Sequence, residues 1–77
     1  MPRHREIPRE ISAQDFQNAL ARLGVVRIAG DPPHVTLHNP VTGGTSTVGL
    51  HFGVPRRHVK AALRELGISE EAFLGAL

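Results

Sequence analysis

Five histidines stand in a chain that has no cysteine, and two of them, His34 and His38, bracket a single five-residue stretch, His34-Val35-Thr36-Leu37-His38. As a β-strand this stretch turns Val35 and Leu37 to one side and His34, Thr36 and His38 to the other. An imidazole exchanges its proton near neutral pH, so a histidine on an open strand face is suited to general acid or base work. RNA asks for little beyond that, because its own 2′-hydroxyl is the nucleophile. The protein has to hold the phosphate, remove one proton and deliver another, and nearby cations stabilise the charge that builds on phosphorus. An exposed strand histidine is also most often a solvated surface residue, and the pattern by itself leaves both readings open.

Other chemistries fit less well. Residues four apart on a strand lie about 13 Å apart, too far for His34 and His38 to share a zinc ion with ligands at about 2 Å. His38 and His51 across a sheet would need further ligands, and no cysteine or carboxylate lies near them in sequence. No metal and no cofactor are therefore expected. A serine nucleophile lacks its Gly-x-Ser-x-Gly elbow, and strand alternation turns Ser46 inward. Paired carboxylates are absent as well: Asp31 falls in a turn, and Glu65, Glu70 and Glu71 fall on helix surfaces.

The elements that would position these groups follow from local signals. Residues 1 to 11 mix charge and proline and read as an extended, flexible arm ahead of a domain spanning 12–77. Ser12 opens a helix over Ala13–Leu23 in which Phe16, Ala19, Leu20 and Leu23 recur at helical spacing, and Gly24 stops it. Strands are expected at Val25–Ala29, His34–His38 and Thr45–His51, separated by Gly30-Asp31-Pro32-Pro33 and by Asn39-Pro40-Val41-Thr42-Gly43-Gly44. A second helix starts at Val54-Pro55-Arg56 and ends at Gly67, with Val59, Ala62, Leu63 and Leu66 along one stripe and Arg56, Arg57, Lys60 and Arg64 along the next. Ser69 caps a short last helix carrying Phe73, Leu74 and Leu77. The class is α+β, in the order α-β-β-β-α with a short C-terminal helix. Both main helices cover one face of a three-stranded antiparallel sheet, and the other face carries His34, Thr36, His38, Thr45, Thr47 and His51.

At 77 residues this is one domain near the lower size limit for a self-sufficient core. Net charge is only +2, but eight of the nine cationic residues are arginine, whose planar fork of donors suits phosphate. Tryptophan and tyrosine are absent. Phe16, Phe52 and Phe73 read as core, which argues against recognition of single strands by aromatic stacking. The opening residues, MPRHREIPRE, are charged, and no run approaches the roughly 20 apolar residues of a membrane span. A soluble, cytoplasmic protein is the expectation.

Three segments together resemble the HicA family, the small mRNA-interferase toxins of HicA–HicB toxin–antitoxin pairs: ISAQDFQNALARLGV, PPHVTLHNP and TVGLHFGVPRRHVKAALRELGISEEAFL. The resemblance covers Ile11 to Leu74 and rests on the order and spacing of these segments. It is most specific in the last, a strand ending in Val-x-x-His, a linker with proline, a basic amphipathic helix and Leu-Gly-Ile-Ser. The chain departs from the family at Pro32-Pro33, where Gly-Ser or Gly-Gly is usual, and at Val35, often a polar position. The resemblance implies a fold similar to a double-stranded-RNA-binding domain and a metal-independent endoribonuclease acting on mRNA. It further implies a HicB-type antitoxin as partner and His34 as the catalytic histidine. Arg56, Arg57, Lys60, Thr36 and His38 are the candidate RNA contacts. The rival expectation is an RNA- or protein-binding module of the same fold that cuts nothing.

Overall fold

In the computed structural model, which describes residues 6–77, each helix begins at the residue whose side chain can satisfy its free amides, with one exception. The Ser12 hydroxyl accepts from the Asp15 amide at 3.0 Å and starts α1, Ala13–Arg22. Ser69 does the same for the Ala72 amide at 3.1 Å and starts α3, Glu70–Ala76. Helix α2, Arg56–Leu66, is the exception: Pro55 precedes it without a side-chain cap. Its far end is closed by Gly67 in the left-handed conformation, φ 70°, with the Ile68 amide donating back to the Leu63 carbonyl. Two further donors reach that end: the Asn39 amide nitrogen and the Thr42 hydroxyl bond the Leu66 carbonyl at 2.9 and 2.7 Å. The connection expected as a plain turn therefore also caps a helix, and Asn39 is buried to do it.

The architecture is α+β. Among the described residues there are three helices, a three-stranded antiparallel sheet of β2 (Val26–Ala29), β3 (His34–His38) and β4 (Thr45–Gly49), and a two-stranded ribbon of β1 (Glu10–Ser12) with β5 (Gly53–Pro55). β3 is central, and β2 and β4 are the edges. Alternation places Val35, Leu37, Ser46 and Val48 inward, all buried. They join Phe16, Leu20, Val59, Leu63, Leu66 and Phe73 in one apolar cluster. Ser46, expected inward, is spared an unpaired hydroxyl by donating to Glu65 Oε1 at 2.6 Å. Helix α2 packs on β4 and β5, whereas the main neighbours of α1 are α3, β1 and β5. Phe16 and Phe73 meet at 6.0 Å between ring centroids. The two long helices thus share one core, with α1 set against the ribbon and α3. No helix among the described residues is long and apolar enough to cross a membrane.

Three expectations need correction. The arm expected over residues 1–11 lies partly outside the described residues, but from Ile7 onward the chain belongs to the domain. Ile7 and Ile11 are buried, and Ile11 pairs with Val54 across the ribbon. The alternation of charge and proline hid two isoleucines whose partners lie more than 40 residues downstream, Val54 for Ile11 and Arg56 for the Ile7 carbonyl. The third strand ends at Gly49 and not at His51, and Val54 and Pro55, expected to open the second helix with Arg56, are extended with Gly53 because they pair with β1. Phe52, expected in the core, is fully exposed.

Candidate functional site on the open sheet face

The register of β3 against β4 decides what stands on the uncovered side of the sheet. His34 lies opposite Gly49, Thr36 opposite Thr47 and His38 opposite Thr45, and directly opposed residues share a face. The Thr36 and Thr47 hydroxyls are bonded at 3.0 Å, and His38 Nδ1 lies 3.3 Å from the Thr45 hydroxyl. His34 is exposed, while Thr36 and His38 are half-buried. The expected face therefore exists as a row of polar pairs, with His34 at its end.

A fourth contact was not foreseen. The turn before β3 is closed by the His34 amide donating to the Asp31 carbonyl at 2.9 Å. The Leu50 amide donates to the Pro33 carbonyl at 2.6 Å, continuing the ladder one step beyond the strands. That bond returns the following residue, His51, to His34. The two imidazoles stand edge to face, with centroids 5.9 Å apart and planes at 89°. Gly49 lies beneath both: a Cβ there would sit 3.4 Å from His51 Nε2 and 3.6 Å from His34 Cδ2. A lone Cβ at those distances would make ordinary contact with both rings, and only a larger side chain would crowd them. The sequence places His51 on the open face as a strand residue, with His38 across the sheet as its conceivable neighbour. The structure carries it there on a bend and pairs it with His34 instead of His38.

One cation marks this end of the sheet. Arg27, on edge strand β2, donates from Nη2 to the Gly30 carbonyl at 2.9 Å, which sets its guanidinium beside the turn that leads into His34. Its strand position is opposite inward-facing Leu37, and the bond to Gly30 holds its head at the β2–β3 turn. The arginines and lysine of α2 are disposed otherwise. That helix covers the inward side of the sheet, opposite the imidazoles. Arg56 donates from Nε to the Ile7 carbonyl at 2.6 Å and from its backbone amide to the Arg9 carbonyl. Lys60 lies 3.9 Å from the Glu70 carboxylate. Arg57 is exposed, and its Nε is 3.5 Å from His58 Nε2. The structure thus brings His34, Thr36 and His38 together on one surface and leaves Arg56, Arg57 and Lys60 on another layer.

A concavity of about 230 Å³ runs between β4 and α2, with Ser46, His58 and Glu65 in its wall. Ser46 is a donor to Glu65 there, and His58 faces Arg57, so no nucleophile–base pair forms. Among the described residues no three His, Asp or Glu side chains converge as a metal cluster. No protein family, no curated protein and no solved structure matches this chain.

Proposed function

We propose that this chain is a metal-independent endoribonuclease of the HicA kind, the toxin of a type II toxin–antitoxin pair that cleaves mRNA in the cytoplasm under stress. Its sheet and helices are read as a variant of the double-stranded-RNA-binding fold, with the β1–β5 ribbon as an addition. The observation that carries the proposal is the exposed His34 imidazole with a second imidazole, His51, 5.9 Å away over Gly49.

Two such groups answer the two proton transfers that RNA cleavage requires. One imidazole takes the proton of the 2′-hydroxyl as that oxygen attacks the adjacent phosphorus. The other gives a proton to the departing 5′-oxygen, leaving a 2′,3′-cyclic phosphate and a free 5′-hydroxyl. Both oxygens sit on one phosphorus, so two rings side by side bring each within hydrogen-bond reach. Arg27 offers a guanidinium at the same end of the sheet for the charge that builds on the phosphate. Thr36, Thr47 and His38 extend a polar track along which the strand lies. A HicB-type antitoxin would neutralise the toxin by covering this face.

The second reading, a binding module that cuts nothing, draws on one observation. Arg56 and Lys60 direct their charged heads to the Ile7 carbonyl and Glu70 and not to the imidazole face. The two readings separate on one experiment. Induction of the native chain is expected to arrest growth, and purified, antitoxin-free protein is expected to cleave RNA in the presence of a chelator. His34→Ala is expected to lower the rate by about 10²- to 10⁴-fold with the circular dichroism spectrum unchanged. RNA left intact after prolonged incubation with folded native protein leaves only the binding module.

A further inference from the structure

The chain has three phenylalanines. Two are fully buried and face each other across the core, while the third, Phe52, is 100% exposed. A surface aromatic ring on a loose tail would mean little, but Phe52 sits on a bend held at both ends. Before it, Leu50 packs against the core and donates its amide to Pro33. After it, Gly53 pairs with Ser12 and Val54, fully buried, pairs with Ile11. The Glu10 side chain lies across Gly53, where a Cβ would meet it at 2.5–2.7 Å. Only His51 and Phe52 project freely between these anchors, with Cα atoms about 3.8 Å apart.

We infer that Phe52 is a stacking platform for a nucleobase of single-stranded RNA, seating the nucleotide beside the phosphate that His34 and His51 address. The inference rests on the ribonuclease reading above. A phenyl ring offers a flat π-face without hydrogen-bonding groups, so it grips an unstacked base with little regard to sequence. The surroundings favour a base over a protein groove. Phe52 is flanked by His51 and Gly53, and the other exposed apolar side chains lie elsewhere: Val26 and Ile28 on the opposite sheet edge, Val41 in the β3–β4 connection, Leu77 at the last residue. A lone exposed ring on the residue that follows His51 is not the contiguous apolar patch on which proteins dock.

The test uses a short oligoribonucleotide with 2′-O-methyl groups to block cleavage and 2-aminopurine as the reporting base. The native protein is expected to quench the fluorescence on binding. Phe52→Ala is expected to bind roughly ten-fold or more weakly and to lose the quench, and Phe52→Leu, which keeps apolar surface without the π-face, is expected to follow it. With cleavable RNA the loss should fall on KM more than on kcat. An abasic site at the reporting position should weaken the native protein and leave Phe52→Ala unaffected. Equal affinity and equal quench in native protein and Phe52→Ala overturn the inference while the nuclease stands. So does a Phe52→Ala protein that cleaves normally and escapes its antitoxin, which makes Phe52 a protein contact. Quenching without cleavage in the native protein, lost in Phe52→Ala, upholds the platform and removes the nuclease.

Discussion

The two sides of the β2-β3-β4 sheet carry the two kinds of residue that the sequence offered for RNA chemistry, and the structure treats them in opposite ways. On the open side the imidazoles of His34 and His51 meet each other, both in exposed residues. On the covered side two of the four cations of α2 are joined to the protein itself, Arg56 to the Ile7 carbonyl and Lys60 to Glu70. A basic stripe on a helix wheel thus divides into one cation that fastens the N-terminal segment, one that pairs on the surface and two, Arg57 and Arg64, left exposed. Charge that is legible in one dimension becomes available to a ligand only where the fold leaves it unspent.

The comparison can be broken where it is strongest. If His34 and His51 act as one unit, the double variant His34→Ala/His51→Ala should cleave RNA about as slowly as the slower single variant, with losses of about 10²- to 10⁴-fold in kcat. Multiplying losses in a single-turnover assay would mean that the rings act independently. Next in size is Arg56→Gln, which removes the charged donor from the Ile7 carbonyl. It should cost about 1.5–3 kcal/mol of stability, seen as a lower urea midpoint, without a specific effect on kcat. A kcat defect at full stability would move Arg56 to the functional side of the comparison.

Gly49→Val tests the floor under the rings. Even a Cβ reaches contact distance of both imidazoles, and the added methyls should push them apart, lowering kcat roughly ten-fold, since active-site misplacement is felt strongly. Shifts of the two histidine signals in an NMR spectrum would report the displacement. The smallest effect belongs to Lys60→Ala. Its ion pair is about half exposed on each side, and such pairs contribute about 0–1 kcal/mol. Thermal denaturation should barely move, and RNA affinity should hold unless Lys60 leaves Glu70 for phosphate.

Much of the fold was readable before the structure because its signals are local. The β3 boundaries and the inward turn of Val35, Leu37 and Ser46 follow from strand alternation. Ser12, Ser69 and Gly67 act as caps within one turn of where they stand in the chain. The unread parts depend on contacts between distant segments. The three-residue strands β1 and β5 carry too few residues to show a period, and each is extended because the other is there. Phe52 misled for the converse reason: its side chain argued for burial, but the anchored bend that holds it leaves it outside.

The sequence by itself determined the order of the three helices and of β2, β3 and β4, the apolar stripe of each long helix and the presence of outward histidines on β3, since periodicity and capping are properties of neighbours along the chain. Tertiary structure alone decided that His34 stands beside His51 and that Arg56 serves the N-terminal segment. A side chain's partner is settled by backbone register and by the reach of groups from distant segments. Those quantities exist only once the chain has closed on itself.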